Sequence, residues 1–166
     1  MTTLGVLRLA VPSADAMRAL GARIGSACTG GDVVMLTGDL GAGKTTLTQG
    51  IAAGMGIDEA VTSPTFVIAR VHANETDGPD LVHVDAYRLG SVAELDDLDL
   101  DADLERSVVV VEWGSGIAEH LSPSRIFVSI ERPADDGDET RTVTVRAGGT
   151  RFEDALAGFP TPGDPP

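Results

Sequence analysis

The chain is poor in positive charge. It has twelve Lys plus Arg against 26 Asp plus Glu, for a formal net charge of −14, and only Lys44 among the twelve is lysine. Nucleic-acid binders need a basic face, because phosphate contacts supply most of their affinity. This chain repels a polyanion at long range, so any role on RNA or DNA has to run through a partner that brings the cations. The same sign disfavours an anionic membrane surface. Cys28 is the single cysteine, which excludes an intrachain disulfide and a cysteine zinc cluster. Aromatics make up 4%, so the core must be built from Val, Leu, Ile and Ala. No apolar run approaches the length that spans a bilayer. The opening MTTLGVLRLAVPSADAM lacks the basic start and long apolar stretch of a signal peptide. Together these absences lead us to expect a cytosolic protein.

What is present fits one domain of ordinary globular composition. Of 166 residues, 42% are hydrophobic and 23% charged. We expect a single domain over 1–150 and a Pro/Gly-rich tail over 151–166, ending FPTPGDPP and largely disordered. Strands are expected at 6–11, 33–37, 66–72, 81–85 and 107–112. Two more, at 125–132 and 140–147, flank the polar turn PADDGDE as a C-terminal antiparallel hairpin. A helix opens at Pro12-Ser13, with Met17, Leu20, Ile24 and Cys28 on one face and Gly30-Gly31 as its stop. A second carries Leu47, Ile51 and Met55, and Gly54 and Gly56 end it. Short helices are expected after Ser91, capped with Glu94, and over 115–121. Strands alternating with helices imply an α/β fold, a P-loop NTPase-like three-layer sandwich around a mostly parallel sheet.

The strongest motif is GDLGAGKT. Gly38, Asp39, Leu40, Gly41, Ala42, Gly43, Lys44 and Thr45 satisfy G-x-x-x-x-G-K-[ST] at every fixed position. A buried strand precedes it and an amphipathic helix follows. Glycines let successive N–H groups turn inward around an anion, and the helix start adds its positive end. Lys44 is expected to bridge the β and γ phosphates, and the Thr45 hydroxyl to ligate Mg²⁺. A planar guanidinium would fit that position badly, which accounts for a lysine in a chain that otherwise uses arginine.

A phosphate loop needs an acid at the tip of a neighbouring strand to hold Mg²⁺ and its waters. Asp85 ends LVHVD and Glu112 ends SVVVVE, and both tips belong beside the loop. Glu112 is also placed to polarise an attacking water. Thr65, within TSPTF, reads either as a switch threonine reaching the metal or as a plain turn hydroxyl. His83 shares a strand face with Asp85, and as a lone histidine it reads more readily as a core residue than as a catalytic one. Arg88 suits a phosphate or the acidic segment that follows, Tyr87 flanks Asp85, and Trp113 suits the core or the nucleotide. The run ELDDLDLDADLE (94–105) holds seven acids in twelve positions and reads as a solvated face over buried leucines or a docking surface for a basic partner.

GDLGAGKTT, VTSPTF, HVDAYRL and VVEWG, in that order and spacing from about residue 12 to about residue 146, closely resemble the bacterial TsaE, or YjeE-type, ATPases. The resemblance implies a small ATP- and Mg²⁺-dependent ATPase of tRNA modification. It implies work with the TsaB–TsaD pair, which places threonylcarbamoyl on adenosine 37 of tRNAs reading ANN codons, with hydrolysis supporting repeated turnover. It places the triphosphate on Lys44 and the 38–45 loop, with Thr46 beside them. It puts Mg²⁺ at Thr45 and Glu112 with Asp85 adjacent, Thr65 in the switch segment and Trp113 near the nucleotide. Base-side contacts fall around Pro12, Ser13 and Asp135. The acidic 134–139 turn and the Pro-rich tail depart from the family pattern. An acidic chain in this role is expected to bind no tRNA alone.

Rival classes remain. A small-molecule P-loop kinase needs an arginine lid, and the acidic 94–105 run has the wrong sign for one. A GTPase needs N-K-x-D, and Lys44 is the only lysine. An ATP-dependent assembly switch with negligible hydrolysis carries the same motifs as the ATPase.

Overall fold

The computed structural model describes residues 6–39, 41–58, 61, 69–85, 104–112, 124–135 and 137–148. Within them the chain runs β1 (Val6–Val11), α1 (Ala14–Ala27), β2 (Val33–Gly38), α2 (Lys44–Gly54), β3 (Ala69–His72), β4 (Asp80–Asp85), β5 (Ser107–Glu112), β6 (Arg125–Glu131) and β7 (Arg141–Gly148). These strands form one mixed sheet in the order β1-β7-β6-β2-β5-β4-β3. Its four central strands, β6, β2, β5 and β4, are parallel. Antiparallel strands complete each side: β3 pairs β4, while β7 pairs both β6 and β1.

Strand alternation divides the sheet into two faces. Val34 and Leu36, Val108 and Val110, Ile126, Val128 and Ile130, and Val143 and Val145 share one face. They form a single cluster with Met17, Leu20 and Ile24 of α1 and Leu47, Ile51 and Ala52 of α2. Val33, Met35, Val84, Val109 and Val111, on the opposite face, are also buried. Burial on both faces explains why β2 and β5 read as unbroken apolar runs. Each such side chain removed from water contributes about 1.5–3 kcal/mol, and this burial dominates the fold's stability.

Helix α1 starts where Ser13, in extended backbone, accepts a hydrogen bond from the Ala16 N–H at 3.1 Å, and Asp15 sits in the first turn. It ends at Ala27, three residues short of the Gly30-Gly31 stop read from the sequence; the Cys28 N–H closes the last turn on Ile24 O and Gly25 O. The two helices interlock through glycines. A Cβ at Gly21 would overlap Leu47 O, and one at Gly25 would overlap Ile51 O; reciprocally, Gly50 would meet Arg18 O and Gly54 would meet Ala22 O. These contacts advance together along both helices, so α1 and α2 run parallel with their backbones touching. Gly54, read from the sequence as a stop signal, is a packing residue on this seam. Gly56, just beyond it at φ +88, makes the left-handed turn out of the helix.

Every strand read from the sequence is present in the described residues; that expected over 66–72 is described from Ala69 on, as β3, and 66–68 lie outside them. The antiparallel pairing of β1 with β7 carries no local signal, since it joins residues at least 130 positions apart. The expected helices after Ser91 and over 115–121, the second helical layer they would supply and the tail after 148 lie outside the described residues. Among the described residues no helix is long and apolar enough to cross a membrane.

Candidate phosphate-binding site

The site is built where central strand β2 hands over to α2. Gly41 (φ +78) and Gly43 (φ +118) occupy left-handed backbone that side-chain-bearing residues rarely adopt. At Gly38 a Cβ would come within 2.8 Å of Ile130 O, so the loop leaves β2 tight against β6. The Ala42 N–H closes the turn on Asp39 O at 3.0 Å. Gly43 is also the N-cap of α2 and offers no side chain to the first helical N–H groups. Lys44, only 8% exposed, donates from Nζ to Gly38 O at 2.6 Å and Asp39 O at 3.1 Å. Its ammonium is thus drawn across the mouth of the loop. A glycine-rich loop, an uncapped helix start and a nearly buried ammonium together fit a polyphosphate. Thr45 and Thr46 follow in the first turn of α2, both half-buried. Leu40 lies outside the described residues.

The sheet brings the two acids together. Asp85 and Glu112 are direct partners across β4 and β5, and Glu112 is also the partner of Leu36 on β2, two residues before Gly38. Glu112 is therefore one strand from the loop and Asp85 two, or about 5 Å and about 10 Å at ordinary strand spacing. Glu112 is 4% exposed. His83 shares this face with no exposed surface, and its Nε2 lies 3.4 Å from Glu112 Oε2. Among the described residues no group of three or more His, Cys, Asp or Glu could hold a metal alone. Two carboxylates at neighbouring strand tips suit Mg²⁺, which keeps waters and takes one or two carboxylates alongside substrate phosphates.

A cavity of about 200 Å³ opens on the other flank of the loop. Ser13, Ala14 and Met17 of the first helix line it, with residues 41–43 and Thr46, and with Glu139 and Arg141 from the hairpin. Arg141 Nε donates to Ala42 O at 3.1 Å and its Nη1 donates to Glu139 O at 3.1 Å, which fastens the hairpin to the loop. Of the residues named for base-side contacts, Ser13 lines this cavity. Pro12 is exposed beside it. Asp135 lines an adjoining cavity with Arg132 and Asp138. Thr65, Tyr87, Arg88, Trp113 and the 94–103 acidic run lie outside the described residues. Sequence reasoning missed Met17, Glu139 and Arg141. Met17 lies on the apolar face of α1 and reads as core, and Arg141 bonds a residue 99 positions away.

These features define a class: a mixed α/β protein whose parallel sheet centre leads through a glycine-rich loop and one buried lysine into a helix. A crystal structure of Bacillus subtilis YdiB has the same fold, with TM-score 0.72 and 34% identity over 92% of each chain. The family model for threonylcarbamoyl adenosine biosynthesis protein TsaE matches residues 11–143, and the chain belongs to that family. A Streptomyces coelicolor protein called tRNA threonylcarbamoyladenosine biosynthesis protein TsaE is 56% identical over 141 residues, covering 84% of this chain and 95% of its own. Proteins of the same name from Mycobacterium tuberculosis (50%; 74% and 77% covered) and Bacillus subtilis (44%; 74% of each) are also similar.

Proposed function

We propose that this chain is the Mg²⁺-dependent, ATP-hydrolysing component of tRNA N6-threonylcarbamoyladenosine synthesis, supporting turnover of the TsaB–TsaD pair. The observation that carries the reading is that Lys44, drawn across the glycine-rich loop at the end of β2, has Glu112 at the tip of the adjacent strand β5. The family supplies the pathway, since its relatives are named for threonylcarbamoyladenosine biosynthesis.

In this reading, loop N–H groups and Lys44 hold the triphosphate. Mg²⁺, when bound, neutralises developing phosphate charge, and Thr45 and Glu112 hold it. Glu112 takes precedence over Asp85 because it is one strand closer to the loop. The cavity lined by Ser13, Met17 and Arg141 takes the base side of the nucleotide. The −14 chain leaves tRNA to basic surfaces of its partners. The protein works in the cytoplasm, with its substrate.

The test is Glu112→Ala. ATP affinity is expected to stay within about threefold, while phosphate release falls about a hundredfold or more, the scale of losing a transition-state electrostatic contact. Normal turnover by this variant overturns the metal and water assignment.

A further inference from the structure

His83 lies at the centre of the β4 face that carries Asp85, opposite Val110 and one pleat behind Glu112. Its side chain has no exposed surface, and among the described residues neither ring nitrogen makes a hydrogen bond of good geometry. Buried polar nitrogens are seldom left so, because the desolvation is not recovered. The near neighbour is the carboxylate: Nε2 stands 3.4 Å from Glu112 Oε2, slightly beyond an N–H···O hydrogen bond. Glu112 itself is 4% exposed, so water does little to orient it. Diagonal pairs on neighbouring strands are within reach of long side chains, and His83 and Glu112 stand in that relation.

We propose that His83 is a positioning residue. Its Nε2–H closes on Glu112 Oε2, fixing the carboxylate so that the remaining oxygen faces the loop. His83 touches neither nucleotide nor metal in this role. The requirement is tautomeric, since a neutral imidazole must carry its proton on Nε2 to donate to Glu112. The kinetic side of the proposal rests on the ATPase reading given above, and the spectroscopic side rests on the geometry alone.

Two experiments on the full-length protein test it. In the first, the imidazole tautomer of His83 is read from long-range ¹H–¹⁵N correlations in the wild type and in Glu112→Gln. The Nε2–H form is expected in the wild type, with a shifted Nε2 resonance in the variant. An Nδ1–H form, or a resonance indifferent to Glu112→Gln, overturns the proposal. In the second, phosphate release is measured with the TsaB–TsaD pair for His83→Leu and His83→Gln. His83→Leu is expected to lower kcat about 10–100-fold, the usual scale for a group that orients a ligand. KM for ATP is expected to stay within about twofold. His83→Gln, whose amide can donate from the position of Nε2, is expected to recover most of the loss. Wild-type kcat in His83→Leu, or equal losses in both variants, overturns the proposal. If His83→Leu does not fold, His83→Gln and the tautomer decide it. Absence of hydrolysis by the wild type would contradict the ATPase reading instead, and leaves the tautomer result to judge His83.

Discussion

Arg141 Nε donates to Ala42 O at 3.1 Å and so ties the start of β7 to the middle of the glycine loop. The hairpin thereby sets the shape of a loop to which it is not adjacent in sequence. Arg141→Met keeps the aliphatic stem and removes the donor. A hydrogen bond from a charged group contributes about 1.5–3 kcal/mol. If the loop relaxes without it, ATP affinity should fall about tenfold, since about 1.4 kcal/mol is one decade. Calorimetric titration of the folded variant checks this, and unchanged affinity would mean that the loop holds its shape unaided.

The glycine seam between α1 and α2 makes a stability prediction. A methyl group at Gly25 or Gly50 would overlap a backbone carbonyl of the facing helix, and backbone yields less readily than a side-chain tip. Overpacking of this kind costs about 1–3 kcal/mol, occasionally more. Gly25→Ala and Gly50→Ala should each lower Tm by about 3–10 °C for a chain of this length. Because α2 begins at Lys44, both should also weaken ATP binding. A thermal melt with and without ATP reads both effects.

Asp138 supplies the pH prediction. The Thr140 backbone N–H donates to its carboxylate at 2.8 Å, and this bond, helped by the Thr140 side chain and the Arg141 charge, holds its pKa below the usual carboxylate value. A depressed folded pKa stabilises the turn at pH above the unfolded pKa. That stabilisation is lost as pH falls through the folded value, so the turn should loosen only in acid. Asp138 is exposed, so the effect is local. An NMR titration of its carboxyl carbon should give a midpoint below that of a free aspartate, and Asp138→Asn should remove the dependence from the Thr140 amide shift.

The net charge of −14 predicts that the isolated chain has no measurable tRNA affinity at physiological salt. A fluorescence-polarisation titration with labelled tRNA reads this directly. Tight binding by the chain alone would contradict the assignment of tRNA contact to its partners.

Local features of the site were legible in the sequence, and long-range ones were not. The glycine loop is contiguous, and its strand and helix flanks have their own periodicities. Asp85 and Glu112 announce themselves as acids closing apolar strands. Their register is a property of the sheet: only the parallel order β2-β5-β4 puts Glu112 next to the loop strand and Asp85 one further away. The pairing of His83 with Glu112 depends on that register too, so a lone histidine on an apolar strand reads as core. The glycine seam illustrates the same limit. Gly21 and Gly25, like Gly50 and Gly54, are spaced one turn apart, but each is explained only by a carbonyl on the other helix.

The most direct test of the central claim is phosphate release from Mg·ATP by the wild type and by Lys44→Ala, each with and without the TsaB–TsaD pair. Lys44 draws its ammonium across the loop, so removing it should abolish turnover in both conditions. The account predicts slow release by the wild type alone, clear stimulation by the pair and no release from Lys44→Ala. Wild-type release that the pair leaves unchanged, or turnover that survives Lys44→Ala, would contradict it.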